Sequence, residues 1–200
     1  MQIALGFKAH SGWAALIALG IHNDEPQIID RRRLELVEVA DASWAKQPYH
    51  AAEELERDEA RMVVKRGIEA ARRIALREMR LAVKRARADG DEIVACAVLV
   101  GEPMPRWSVE EILAVHFRMH KAEGVLFRDV LVRAGKASGL RVVEIREKEL
   151  AEKAERVLAT PVDRLRKTIA TLGKSVGPPW GMDQKEASLA AMVALRRLSK

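Results

Sequence analysis

The apolar positions of this chain change period near Ala51, and the change separates a strand-rich beginning from a helix-rich remainder. Ile3–Phe7 and Trp13–Leu19 are apolar runs of strand length. Lys8-Ala9-His10-Ser11-Gly12 between them reads as a hairpin turn, with Gly12 supplying the backbone freedom. A second turn at His22-Asn23-Asp24-Glu25-Pro26 leads into Gln27–Val39, where Leu34, Leu36 and Val39 mix with Arg and Glu as in a half-exposed strand. From about Ala51 to Ala88 the period is helical: Val64, Ile68, Ala71, Ala75, Met79, Ala82 and Ala86 step by three or four along one face, and Gly90 ends the run. Asp91–Val100 carries a continuous apolar stretch, as expected of a central strand covered on both faces.

Ser108-Val109-Glu110-Glu111 has the spacing of a capping box and predicts a helix to about Ser138, closed by Gly139. Leu140–Ile145 reads as a short strand, and helix returns over Lys148–Leu158. Thr160-Pro161-Val162-Asp163 reads as a cap with proline at the first helical position. Gly177-Pro178-Pro179-Trp180-Gly181 breaks the chain, and a final helix is expected from Asp183 to about Leu198. The order β-β-β-α-β-α-β-α-α, a meander followed by βαβ units, predicts an α/β fold. Its mixed five-stranded sheet is flanked by long helices, with the first and fourth strands in one sheet. At 200 residues and 48% apolar content, a single domain spanning 1–200 is expected.

Composition narrows the classes. No run approaches the roughly 18 apolar residues of a membrane span, and the first residues lack the pattern of a signal peptide, so a cytoplasmic protein with no membrane partner is expected. A single cysteine, Cys96, excludes an internal disulfide framework and any CxxC zinc site. The net charge is +6, and its placement matters more than its size. Residues 61–90 hold ten Lys/Arg against Glu69, Glu78 and Asp89, and the rest of the chain is close to neutral. At 100° per residue, Arg66, Arg73, Arg77, Arg80, Lys84 and Arg87 share an arc opposite the apolar face, interrupted by Glu69. A single-sign stripe about 30 Å long suits a phosphate backbone, so nucleic acid is the expected partner. An acidic protein partner, or a solvated Arg- and Ala-rich helix face, fits the same residues.

Several segments resemble the ribonuclease H-like superfamily in its Holliday-junction-resolvase (RuvC-like) branch. They are Lys121-Ala122-Glu123-Gly124-Val125, Gly139-Leu140-Arg141-Val142-Val143-Glu144-Ile145, and the terminal Asp183-x-x-Glu186-Ala187-x-Leu189-Ala190. The resemblance implies the ribonuclease H-like fold. It also implies clustered carboxylates holding two divalent ions roughly 4 Å apart, with Glu102, Asp183 and Glu186 at acidic positions. The first-strand position, where that branch keeps an aspartate, is Lys8. An ammonium there repels a divalent cation, so the resemblance implies a degenerate site unless His10 takes over ligation. Lys8, His10, Glu102 and Asp183 are therefore the candidate catalytic cluster. Asp183-x-x-Glu186 also has the spacing of a helix cap with its reciprocal carboxylate.

A second constellation comes from spacing alone. His116, His120 and Glu123 lie at i, i+4 and i+7 of one helix, bordering Val115, Met119, Ala122 and Leu126. Two histidines four apart can chelate one divalent metal with Glu123 as a third ligand, although Phe117 follows His116 and the HExxH pattern is absent. A polar pocket without metal accounts for the same residues. His50 opens the first helix after Gln47-Pro48-Tyr49, and Trp107 and Trp180 lie in Pro-rich loops, where they either stack on bases or seal the core edge. No phosphate-binding glycine loop or nucleophile elbow is present. The leading expectation is a nucleic-acid-binding protein with a degenerate metal site. The alternatives are a divergent metal-dependent nuclease or hydrolase using a His/Glu site, and a non-catalytic module for an acidic partner. First- and fourth-strand ends, the second long helix and the last helix should meet at one end of the sheet, gathering Lys8, His10, Glu102, His120, Glu123 and Asp183.

Overall fold

Strand alternation sends the side chains of the first strand to two different cores. Ile3, Leu5, Phe7 and Ala9 enter one apolar cluster, while Ala4 enters the other. The computed structural model describes residues 1–23 and 25–196. Its strands are β1 (Gln2–His10), β2 (Trp13–His22), β3 (Glu25–Glu35), β4 (Glu92–Val100) and β5 (Arg141–Arg146). They form one five-stranded sheet in the order β3-β2-β1-β4-β5. β1 runs antiparallel to β2 and parallel to β4, and β4 runs parallel to β5, so the first and fourth strands are neighbours.

The hairpin is tighter than its sequence suggests. Ser11 and Gly12 alone make the turn, with Gly12 at φ 82°. Lys8 and His10, expected in the loop, are instead the last residues of β1 that face the side of Gly6, because register continues to the pair His10↔Trp13. β3 ends at Glu35 rather than Val39, and Asp24 of the second turn lies outside the described residues.

Two layers of helix cover the sheet. α2 (Arg57–Ala88) and α4 (His116–Ala137) pack on one face through Ala71, Ala75, Met79, Phe127, Val130 and Leu131. Each large side chain buried there contributes about 1.5–3 kcal/mol. On the other face lie α5 (Leu150–Leu158), α6 (Val162–Val176) and α7 (Met182–Arg196), with Ala187, Ala190, Ala191 and Ala194 against the sheet. Gly6 permits this close approach, since a Cβ there would collide with the Ala187 carbonyl. The expected extension of α7 to about Leu198 lies outside the described residues. Trp180 donates its indole N–H to the Ile169 carbonyl at 3.1 Å and lies over Gly173, so it seals the edge of this core.

Three boundaries differ from expectation for local reasons. The helix expected from Ala51 begins at Arg57. The preceding stretch holds the short α1 (Ala42–Ala45) and a 3-10 turn at His50–Ala52, and these bury Tyr49 and Ala52 beside Val64 and Met119. Ser108 caps as predicted, its Oγ accepting from the Glu111 amide at 3.1 Å, but the helix it opens is the short α3 (Val109–Leu113). Val115 is extended (φ −142°, ψ 113°), so α4 starts afresh at His116. Pro161 is the N-cap of α6 rather than its first helical residue (ψ 143°). No helix among the described residues is long and apolar enough to cross a membrane.

Candidate functional site

The end of β1 carries a network of paired charges, with one lysine between two carboxylates. Lys8 leaves the sheet on the α7 side with its side chain 12% exposed. Its Nζ donates to Glu147 Oε2 at 2.7 Å and lies 2.8 Å from Glu186 Oε2. Glu147, in the 3-10 turn that follows β5, also accepts from Arg128 Nη2 of α4 at 2.7 Å. Burial opposes the charge on Lys8, but hydrogen bonds and attraction from Glu147 and Glu186 outweigh it and raise its pKa. Burial likewise opposes ionisation of Glu147, yet its hydrogen bond to Lys8 and the nearby Arg128 hold its carboxyl below the ordinary glutamate range.

His10 lies one pleat further along the same face. Its Nε2 approaches Asp183 Oδ1 at 3.0 Å without a hydrogen-bond angle, and its ring stacks on Trp13 with centroids 4.4 Å apart. Arg33 covers the other side of Trp13 at 3.8 Å. The acidic pair of α7 reaches Lys8 and His10 because it is not consumed by capping. Gly181 occupies the cap, donating its N–H to Gln184 Oε1 at 2.9 Å, which leaves Asp183 in the first turn and Glu186 one turn on to reach His10 and Lys8.

Glu102 is not part of this group. It follows β4 on the surface, where it pairs with Lys148 and lies 3.9 Å from Arg146, and these cations hold its carboxyl below the ordinary range. Glu147 supplies the carboxylate beside Lys8 in its place. The signal for it in the sequence is its position directly after the fifth strand, the neighbour of β4.

Glu123 lies on the other side of the sheet end, where with His10, Ser11, Gly124 and Arg128 it lines a pocket of about 200 Å³. Its carboxylate is 3% exposed. Oε1 accepts from the His50 amide at 3.2 Å, and Oε2 lies 2.7 Å from His50 Nδ1. His50 in turn faces His116 and His120, so the cluster that the sequence assigned to His116, His120 and Glu123 has His50 as its third ring, with Glu123 behind it. Burial and the Glu123 charge together push the Tyr49 hydroxyl up. The chemistry available here is cation ligation by imidazoles or hydrogen bonding among them.

Along α2 the basic residues divide. Arg66 lies over Trp44 and 3.9 Å from Asp41, and Arg77 pairs with Glu38 and Glu78. Arg73, Arg80, Lys84 and Arg87 are exposed and form no ion pair among the described residues, and the last three line a shallow groove with Val83 and Ser138.

No protein-family model matches the sequence, and no curated protein matches it. Solved structures do. Thermus thermophilus RuvC in complex with a Holliday junction substrate superposes with a TM-score of 0.55 at 9% identity, over 100% of this chain and 96% of that one. A second Thermus thermophilus RuvC structure superposes with a TM-score of 0.52 at 11% identity, over 98% of this chain and 95% of that one. The sheet β3-β2-β1-β4-β5 with helices on both faces is thus the ribonuclease H-like α/β fold, in the arrangement found in RuvC.

Proposed function

We propose that this protein binds nucleic acid through the exposed face of α2 and carries a lysine-neutralised site where a two-metal centre stands in nucleases of this fold. The observation behind this reading is Lys8 Nζ lying within 2.8 Å of both Glu147 and Glu186. Those carboxylates would be the natural ligands for a divalent ion, and an ammonium already balances them. A cation brought to the same oxygens would meet the Lys8 charge at contact distance, so this donor set does not fit a two-metal centre. Arg73, Arg80, Lys84 and Arg87 supply four unpaired charges along one helix face. Support for nucleic acid over other polyanions comes from the fold neighbour bound to a Holliday junction.

The test is fluorescence anisotropy with a four-way DNA junction, duplex DNA and single-stranded RNA between about 50 and 200 mM salt, where counterion release steepens the dependence. Expected are binding at low salt, a log–log slope of roughly −3 to −4 from the four free cations, and no cleavage with added Mg²⁺ or Mn²⁺. No affinity at 50 mM salt overturns the reading, and capture of an acidic protein by the same face replaces it. The histidine cluster supports a second reading, a metal-dependent hydrolase, because three imidazoles offer nitrogen atoms within 4.8 Å of one another.

A further inference from the structure

We infer that His50, His116 and His120 form a transition-metal site of the three-imidazole type, taking Zn²⁺ or a similar borderline cation. Glu123 and Glu53 act as the carboxylates that aim two of the rings. The inference deepens the second reading above and does not depend on nucleic-acid binding.

The site is assembled by two local breaks in regular structure. Val115 leaves helical geometry, so α4 restarts at His116 and places His116 and His120 one turn apart on its first exposed face. The 3-10 turn before α2 then delivers His50 against them. His116 Nε2 and His120 Nε2 are 3.1 Å apart, close to the roughly 3.4 Å separation that Zn–N bonds of 2.0–2.1 Å give in a tetrahedron.

Ring orientation is what distinguishes this cluster from a chance surface group. Glu123 Oε2 lies 2.7 Å from His50 Nδ1, and Glu53 Oε1 lies 3.5 Å from His116 Nδ1. A carboxylate at Nδ1 keeps the proton there and leaves the Nε2 lone pair for a metal, the carboxylate–histidine–metal arrangement. His50 Nε2 is buried and has no hydrogen-bond partner among the described residues. An unsatisfied nitrogen on a ring packed against two other imidazoles is explained by a cation that all three share. Glu123, 3% exposed, is held by two hydrogen bonds from His50 and so fixes both the backbone and the ring of the least exposed ligand.

The donor set selects the ion. Imidazole nitrogen suits Zn²⁺, Co²⁺, Ni²⁺ or Cu²⁺, whereas Mg²⁺ and Ca²⁺ require oxygen ligands. Three protein ligands leave one tetrahedral position for a water or an anionic oxygen, and His116 and His120 are exposed, so that position is reachable from solvent.

The protein is to be stripped with a chelator and titrated with Co²⁺, followed by Zn²⁺ displacement. Expected are the visible bands of a four-coordinate cobalt site saturating at one equivalent, bleached by one equivalent of Zn²⁺. His116→Ala and His120→Ala should each weaken binding at least tenfold, and Glu123→Gln by about 10- to 100-fold. The two histidines are exposed, so their variants remain folded even if Glu123→Gln does not. Absence of cobalt bands, or Zn²⁺ affinity unchanged in the His116→Ala/His120→Ala double variant, overturns the inference. Junction binding measured on the chelator-treated protein reports separately on the nucleic-acid reading, and the two can fail independently.

Discussion

Replacing Lys8 with methionine keeps length and apolar stem but removes the charge that two carboxylates share. Breaking a buried ion pair by deleting one partner costs about 3–5 kcal/mol, and a surface pair about 0–1 kcal/mol. Lys8 is 12% exposed while Glu147 and Glu186 are 30% and 29% exposed, so the triad falls between these limits. Glu147 retains Arg128, whereas Lys8 is the one cation paired with Glu186 among the described residues, so the loss falls mainly on Glu186. We expect a destabilisation of about 2 kcal/mol, or a Tm fall of about 4–8 °C for a chain of this size. Urea denaturation and thermal scans of the two proteins measure it. Lys8→Asp should be destabilised further without metal, because the introduced carboxylate joins Glu147, Glu186 and Asp183, four in all. It should also gain an affinity for Mn²⁺ or Mg²⁺ that Lys8→Met lacks. At metal tenfold above its Kd, linkage returns about 1.4 kcal/mol. A Lys8→Met cost below about 0.5 kcal/mol, or equal metal stabilisation of the two variants, would refute the argument that Lys8 stands in for a cation.

Stability should depend on pH through the same triad. Lys8, with its pKa raised, contributes fully below about 10.5 and loses its contribution as pH climbs through the higher folded value; Glu147, with its pKa lowered, contributes above about 4.5 and loses it as pH falls through the folded value. The gap between wild-type and Lys8→Met stability curves should therefore be flat from about pH 5 to 10 and close on either side, and a gap independent of pH contradicts this. Changing Arg73, Arg80, Lys84 and Arg87 to alanine should flatten the salt dependence of DNA binding by about 0.9 per charge that contacted phosphate, without moving Tm by more than a degree or two. Gly6→Ala should prevent folding or cost several kcal/mol, read by circular dichroism, because the new methyl meets the Ala187 carbonyl in a packed interface. Cys96, fully buried with its thiol pushed up to about 12, should react with a thiol reagent only at the rate of global unfolding.

Much of the architecture was legible from periodicity. The switch from strand to helix spacing, the apolar run of β4, the Ser108 capping box and the single-sign face of α2 are patterns within about thirty residues, and local sterics and amphipathicity determine such patterns without reference to the rest of the chain. The resemblance in the terminal Asp183-x-x-Glu186 segment pointed to the fold that the superpositions show. The sites required tertiary structure. Lys8 meets Glu147 across 139 residues, and His50 meets Glu123 across 73. Spacing carries no information about pairs so far apart. Capping and ligation also share the spacing Asp-x-x-Glu, and only the seating of Gln184 on Gly181 frees Asp183 and Glu186 to face β1. Glu102 sits where the resemblance implied a ligand, yet the chain leaving β4 carries it outward to Lys148, while the turn after β5 brings Glu147 inward. Local sequence determined which strands and helices form; packing of those elements decided which carboxylate meets the lysine and which histidine completes the cluster, because both depend on how separate elements abut in three dimensions.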